Sequence, residues 1–131
     1  MKSSFQVALA GIAGLMIGAA GTSMLHAATA TAPAFVIAER VSVHDPDMIK
    51  EYADKVPQTQ IPFGGHALAR GAAPVMLDNS PQPKGTIAII AFPSMKNLKD
   101  WWNSPAYSAV RPLREKSSTT IIYAVEGLPP S

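Results

Sequence analysis

Residues 92–114, FPSMKNLKDWWNSPAYSAVRPLR, constrain the fold of this chain more than any other segment. Ser94 is placed to cap a helix in which Leu98, Trp101 and Trp102 line one side, and Ser104-Pro105 then repeats the cap-then-proline signal. Ala106, Val110 and Leu113 carry helical spacing for a further turn or two, with a kink expected at Pro112. The segment predicts one helix, a sharp break and a second helix, entered from residues 86–92 (TIAIIAF), a strand apolar at nearly every position.

The rest of the chain supplies the partners of that unit. Residues 34–43 (AFVIAERVSV) read as a first strand, with Phe35, Ile37, Val41 and Val43 on one face and Val36, Ala38, Arg40 and Ser42 on the other. Asp45 caps the next helix, Pro46 suits its first turn, and Met48, Ile49, Tyr52, Ala53 and Val56 form its apolar stripe. Pro57 and Pro62 are expected to limit that helix, and Gly64-Gly65 turns the chain. Residues 66–70 (HALAR) read as a second strand, interrupted at Gly71 and resumed at residues 74–77 after a bulge. Residues 78–85 form a loop, and residues 120–125 (TIIYAV) a last strand ended by Glu126-Gly127.

The order is βαββαβ, an α+β arrangement of ferredoxin-like type: a four-stranded antiparallel sheet with both helices on one face. TIAIIAF and TIIYAV are apolar on both faces, yet no further element is left to cover the helix-free side. A bare face of that size is a large exposed apolar patch, and the economical cover is a second copy of the chain, sheet against sheet. The sequence therefore predicts a homodimer.

Lys2, an uncharged run from Phe5 to Ala20 and small residues around position 28 have the layout of a secretory signal peptide. The apolar core is rich in Gly and Ala and short of the roughly 20 strongly apolar residues of a spanning helix, which favours cleavage over an uncleaved tether. The expected organisation is a signal peptide over residues 1–28, a linker over 29–33, the domain over 34–127 and a tail over 128–131. The mature protein is expected in the periplasm or secreted, touching the membrane only transiently through its leader. Without cysteine the chain has neither disulfides nor thiolate chemistry. Eleven basic residues less Lys2 leave ten against nine acidic ones, interspersed rather than clustered, so no nucleic-acid partner is expected.

FVIAE at 35–39, Asp45-Pro46, EYADKVP at 51–57, FGG at 63–65, Arg70-Gly71, FPSM at 92–95 and WWNSPAY at 101–107 together resemble the domains numbered 1330 in the domain-of-unknown-function series, within the dimeric α/β-barrel superfamily. The resemblance covers residues 34–127. It implies a ferredoxin-like protomer that dimerises through its sheet and no settled activity, with superfamily relatives that are cofactor-free monooxygenases, isomerases or haem-binding enzymes. Pro62, His66 and the export segment depart from the family's usual pattern.

Several side chains are candidates for chemistry. His66 and Arg70, four apart in a strand, are expected on one face, where imidazole and guanidinium would hold a small anionic or carbonyl-bearing ligand; alternatively they are two solvated groups at a strand end. Arg111 and Arg114 sit near a helix C-terminus, where cations offset the dipole. Arg114 also resembles the arginine that follows the S-P-x-Y element of the family, and would then turn inward onto a carboxylate. Trp101 and Trp102 cannot share one direction, so one packs into the core and the other lies toward the break or a pocket rim with Tyr107. Tyr52 has the same ambiguity. Glu39, on the face of Phe35 and Ile37, is either a buried site carboxylate or the partner of Arg70 or Arg114.

Phosphate loops, metal-ligand spacings, nucleophile elbows and paired-carboxylate motifs are missing. The sequence thus predicts an exported domain that binds a small organic molecule in a pocket bounded by His66, Arg70, Trp102, Tyr107 and Arg114, without a cofactor or metal. If it is an enzyme, His66 carries the proton and Arg70 or Arg114 stabilises the anion. The rival readings are a non-catalytic binding or stress-related module whose pocket is filled by side chains and, more remotely, haem binding.

Overall fold

A computed structural model describes residues 30–131, so the expected leader over residues 1–28 lies outside the described residues. The elements run β1 (Ala34–Val43), α1 (Pro46–Gln60), a 3-10 turn (Ile61–Phe63), β2 (His66–Ala72), β3 (Thr86–Phe92), α2 (Met95–Trp102), α3 (Pro105–Ser117) and β4 (Ser118–Glu126). The strands form one sheet in the order β2-β3-β1-β4, with every neighbouring pair antiparallel. This is the ferredoxin-like α+β arrangement, with the expected second helical segment realised as the two helices α2 and α3.

Each helix begins where a side chain satisfies an otherwise orphaned backbone N–H. Asp45 Oδ1 accepts from Met48 N at 3.0 Å, Ser94 Oγ from Asn97 N at 3.0 Å, and Ser104 Oγ from Tyr107 N at 3.2 Å. At the end of the 3-10 turn Gly64 takes φ 74°, and a side chain there would also collide with Pro93.

Three expectations about backbone breaks are corrected. α1 does not stop at Pro57 but passes through it to Gln60, and Pro62 falls in the 3-10 turn. α3 likewise continues through Pro112 for 13 residues rather than one or two turns; Tyr107, Arg114 and Ser117 are buried and the expected Val110 and Leu113 pack against the core half-buried, while Ala106 is exposed. A proline costs a helix one hydrogen bond, and burial of an amphipathic face against the sheet outweighs that loss. β2 does not resume at residues 74–77; Val75 and Leu77 are almost fully exposed.

The core lies between the sheet and its helices. Ala34 and Val36 of β1 and Phe92 of β3 face Ile49, Tyr52 and Val56 of α1, Leu98 and Trp101 of α2, and Tyr107 of α3. Trp101 is its centre, with ring centroids 5.2 Å from Phe92 and 4.1 Å from Tyr107. Its indole N–H donates to Thr59 Oγ1 at 2.9 Å, and that hydroxyl donates to the Val56 carbonyl at 2.7 Å, so the buried polar edge is satisfied.

Candidate functional site

The strand register decides which side chains look toward the helices. On β1, Val36, Ala38 and Arg40 alternate with the outward Phe35, Ile37 and Glu39; Val36 pairs with Ile90, Ala38 with Ala88 and Arg40 with Thr86. On the other side Val36 pairs with Ala124, Ala38 with Ile122 and Arg40 with Thr120. At the centre of this face Ala38 and Ala88 are too short to reach Ala53 of α1, and a cavity of about 110 Å³ remains between sheet and helices. Val36, Val56, Ile90, Ile122 and Trp101 give it apolar walls.

The charged groups lining this cavity are all cationic, beside the neutral Tyr52, Gln60, Thr86 and Thr120. Arg40 enters from β1 between the two threonines, Arg70 from β2, and Arg114 from the last turns of α3. Arg114 is buried, and neither its Nε nor the Nε of Arg40 has a hydrogen-bond partner among the described residues. Glu115 Oε1 stands 3.8 Å from Arg114 Nη2, but that carboxylate is more than half exposed and leaves Nε bare. Among the described residues no Asp, Glu or His lines the cavity. Ser118 fixes the local backbone, its hydroxyl 2.9 Å from both the Arg114 carbonyl and Thr120 Oγ1.

Tyr52 completes the lining, its hydroxyl 3.2 Å from that of the buried Tyr107. Burial raises its pKa well above the ordinary tyrosine range, Tyr107 adds to the rise, and Arg114 pulls the other way without cancelling it. The hydroxyl therefore stays protonated at neutral pH and can give or accept a hydrogen bond as a neutral group.

His66 and Arg70 do not share a face. His66 pairs with Ala91 and Ala67 with Ile90, but Ala69 pairs with Ile89, so one residue is inserted at Leu68 and the alternation flips. His66 is exposed on the helix-free side, whereas Arg70, also exposed, lines the mouth of the cavity on the helix side. Gly71 takes φ 62° next to a second register shift. Glu39 is also on the helix-free side, where its Oε1 accepts from Lys84 N at 2.8 Å; it is not the partner of Arg70 or Arg114.

Tyr107 reaches the cavity only through Tyr52. Trp101 is the core tryptophan and Trp102 the rim one. Trp102 borders a separate cavity of about 230 Å³ against Met95, Leu98 and Tyr123, and carries the Arg111 guanidinium 4.4 Å above its ring. Arg111 also donates to the Trp102 carbonyl, so it is spent on holding α2 to α3. The structure thus brings together Arg70 and Arg114 of the expected group and adds Arg40, Tyr52 and Gln60. Arg40 had a readable signal: it alternates with Val36 and Ala38 on the face destined for the helices. Among the described residues no three His, Asp or Glu gather to hold a metal ion.

The sequence profile of the family described as "Domain of unknown function (DUF1330)" matches residues 33–128. No curated protein matches the chain. Among solved structures the chain is similar to a protein of unknown function from Rhodopseudomonas palustris, at 18% identity over 76% of this chain and 85% of that one, with a TM-score of 0.59. It is also similar to SnoaB, a cofactor-independent oxygenase from Streptomyces nogalater, at 12% identity over 73% and 92%, TM-score 0.51. A third likeness is to a hypothetical protein from Arabidopsis thaliana, at 14% identity over 77% and 91%, TM-score 0.50. At these identities the likeness is one of fold.

Proposed function

The chain belongs to the DUF1330 family, and from the geometry of its cavity we propose that it is an exported, homodimeric domain that binds a small organic molecule between its sheet and α1/α3. One observation carries the binding reading: a space between sheet and helices is left unfilled while the buried Nε atoms of two arginines that line it lack hydrogen-bond partners among the described residues. A cavity that served only packing would be filled by larger side chains or lined by satisfied groups, because voids and bare polar atoms both cost stability. This favours an occupied pocket over the rival in which side chains fill it.

The Streptomyces nogalater protein is a cofactor-independent oxygenase, and the same class of chemistry remains the catalytic reading here. Its proton carrier would not be a cavity residue, because the lining groups are guanidiniums, hydroxyls and an amide, and His66 is on the other face of the sheet. Binding is therefore the primary reading. The dimer reading rests on Leu68, Ile121, Tyr123 and Val125, which are 57%, 52%, 53% and 43% exposed on the strands, beside the half-buried Ile37, Ile87 and Ile89 of the helix-free face.

Native mass spectrometry of the protein purified from its export compartment tests these points together. The expected spectrum is a dimer of leader-cleaved chains carrying a small retained ligand. A ligand-free protein that also fails to take up any small molecule from a metabolite extract would overturn the binding reading; a monomer or an intact leader would overturn the dimer or the export reading.

A further inference from the structure

We infer that the molecule bound in this cavity is an organic carboxylate, held with its carboxylate between Arg40 and Arg114 and its apolar body directed toward Trp101. The inference rests on the binding reading above and names the ligand class.

The sheet register gives the cavity two ends. Along β1 the helix-facing residues run Val36, Ala38, Arg40, and at about 3.3 Å per residue Arg40 is roughly 13 Å from Val36. The Arg40 end carries Thr86 and Thr120, and Arg114 reaches the cavity from α3 beside Tyr52, its guanidinium 6.0 Å from the Trp102 ring. The Val36 end carries Ile90, Val56 and Trp101. One end is thus cationic and rich in donors, and the other is apolar.

The atoms left bare are informative. Nε lacks a partner on Arg40, Arg111 and Arg114, and of these Arg40 and Arg114 line the cavity, whereas Arg111 is held over the Trp102 ring. Nε and one Nη form the side-on fork that takes the two oxygens of a carboxylate in parallel hydrogen bonds. A buried guanidinium whose nearest carboxylate is the exposed Glu115 at 3.8 Å is costly, and the half-buried Arg40 and exposed Arg70 add like charge to the same lining. A bound oxyanion removes both penalties. The apolar far end separates an organic acid from inorganic phosphate, which would leave those walls against empty space.

The test is titration of the purified full-length or leader-cleaved protein with matched acids and amides: benzoate and benzamide, phenylacetate and phenylacetamide, hexanoate and hexanamide, with inorganic phosphate as a separate arm. Calorimetry gives affinity, and the Trp101 indole N–H resonance reports occupancy of the cavity. At least one acid is expected to bind about tenfold or more tighter than its amide, the magnitude of a charge-assisted pair, and to shift the Trp101 signal. Arg114→Gln and Arg40→Gln should each weaken that acid by about tenfold, while Lys50→Gln, which removes an exposed charge, should not. Near-UV circular dichroism checks that the arginine variants are folded. An acid bound no better than its amide, or an affinity for phosphate equal to that for the acids, overturns the carboxylate assignment and leaves small-molecule binding standing. Failure of every acid and every amide to perturb Trp101 overturns both.

Discussion

Arg114 concentrates the tension in this molecule between stability and binding. A buried guanidinium with a bare Nε costs desolvation energy that its loose contact with Glu115 does not return. Arg114→Met, similar in length and apolar, should therefore leave the melting temperature unchanged or raise it, a pattern common where a site is built at the expense of the fold. A drop of several degrees in thermal denaturation would mean that Arg114 is a structural anchor. Tyr52 offers a second test at the same scale. Its folded-state pKa is raised above the ordinary value of 10.0, so folding favours the protonated hydroxyl. That contribution is fully present below pH 10 and is lost as pH rises further, because the unfolded chain then releases a proton that the folded one keeps. Tyr52→Phe should shift the alkaline limb of the unfolding curve to higher pH, as measured by circular dichroism between pH 9 and 12.

At the scale of elements, β2 matters most. The first of its two register shifts against β3, at Leu68, sends His66 to one side of the sheet and Arg70 to the other. Gly71 holds its φ of 62° with open space where a side chain would stand, so the constraint is conformational rather than steric crowding. Gly71→Ala should cost about 1 kcal/mol in chemical denaturation and disturb the Arg70 backbone amide in NMR spectra more than that of His66. The segment also marks where period-two reading fails. A single inserted residue inverts every later orientation, and nothing in HALARGA announces the insertion before its pairing with β3 is known. By contrast β1 and β3 are legible to the residue, since Ala34–Val43 alternates its apolar positions with period two and Thr86–Phe92 is apolar after its first residue, each bounded by a turn or a cap. The caps Asp45, Ser94 and Ser104 are equally legible because capping is local chemistry between a side chain and the N–H groups just after it.

For the whole molecule, the helix-free face sets the prediction. Ile121 and Val125 of β4 flank Tyr123 on that side, opposite Glu39, Ile37 and Phe35 of β1 in the register. Ile121→Glu places a charge in the middle of the proposed sheet-to-sheet contact while leaving the helix-side core untouched. Light scattering should report a dimer for the unmodified protein and a monomer for the variant; identical masses for the two would remove the sheet-to-sheet arrangement. The cavity is on the opposite face from this substitution, so acid binding should survive it if each protomer holds a complete site.

The sequence by itself determined the βαββαβ order, the caps, the two-sided apolar strands and the family, because each depends on neighbours within a turn or a strand. It also carried Arg114 as a residue able to turn inward. Only the tertiary structure decided that Arg40 and Arg114 line one cavity while His66 and Glu39 face away from it. The physical reason is that those positions follow from pairing register and from how α1 and α3 lie on the sheet, contacts between residues as far apart in the chain as Tyr52 and Tyr107 or Arg40 and Thr120, which no local spacing encodes.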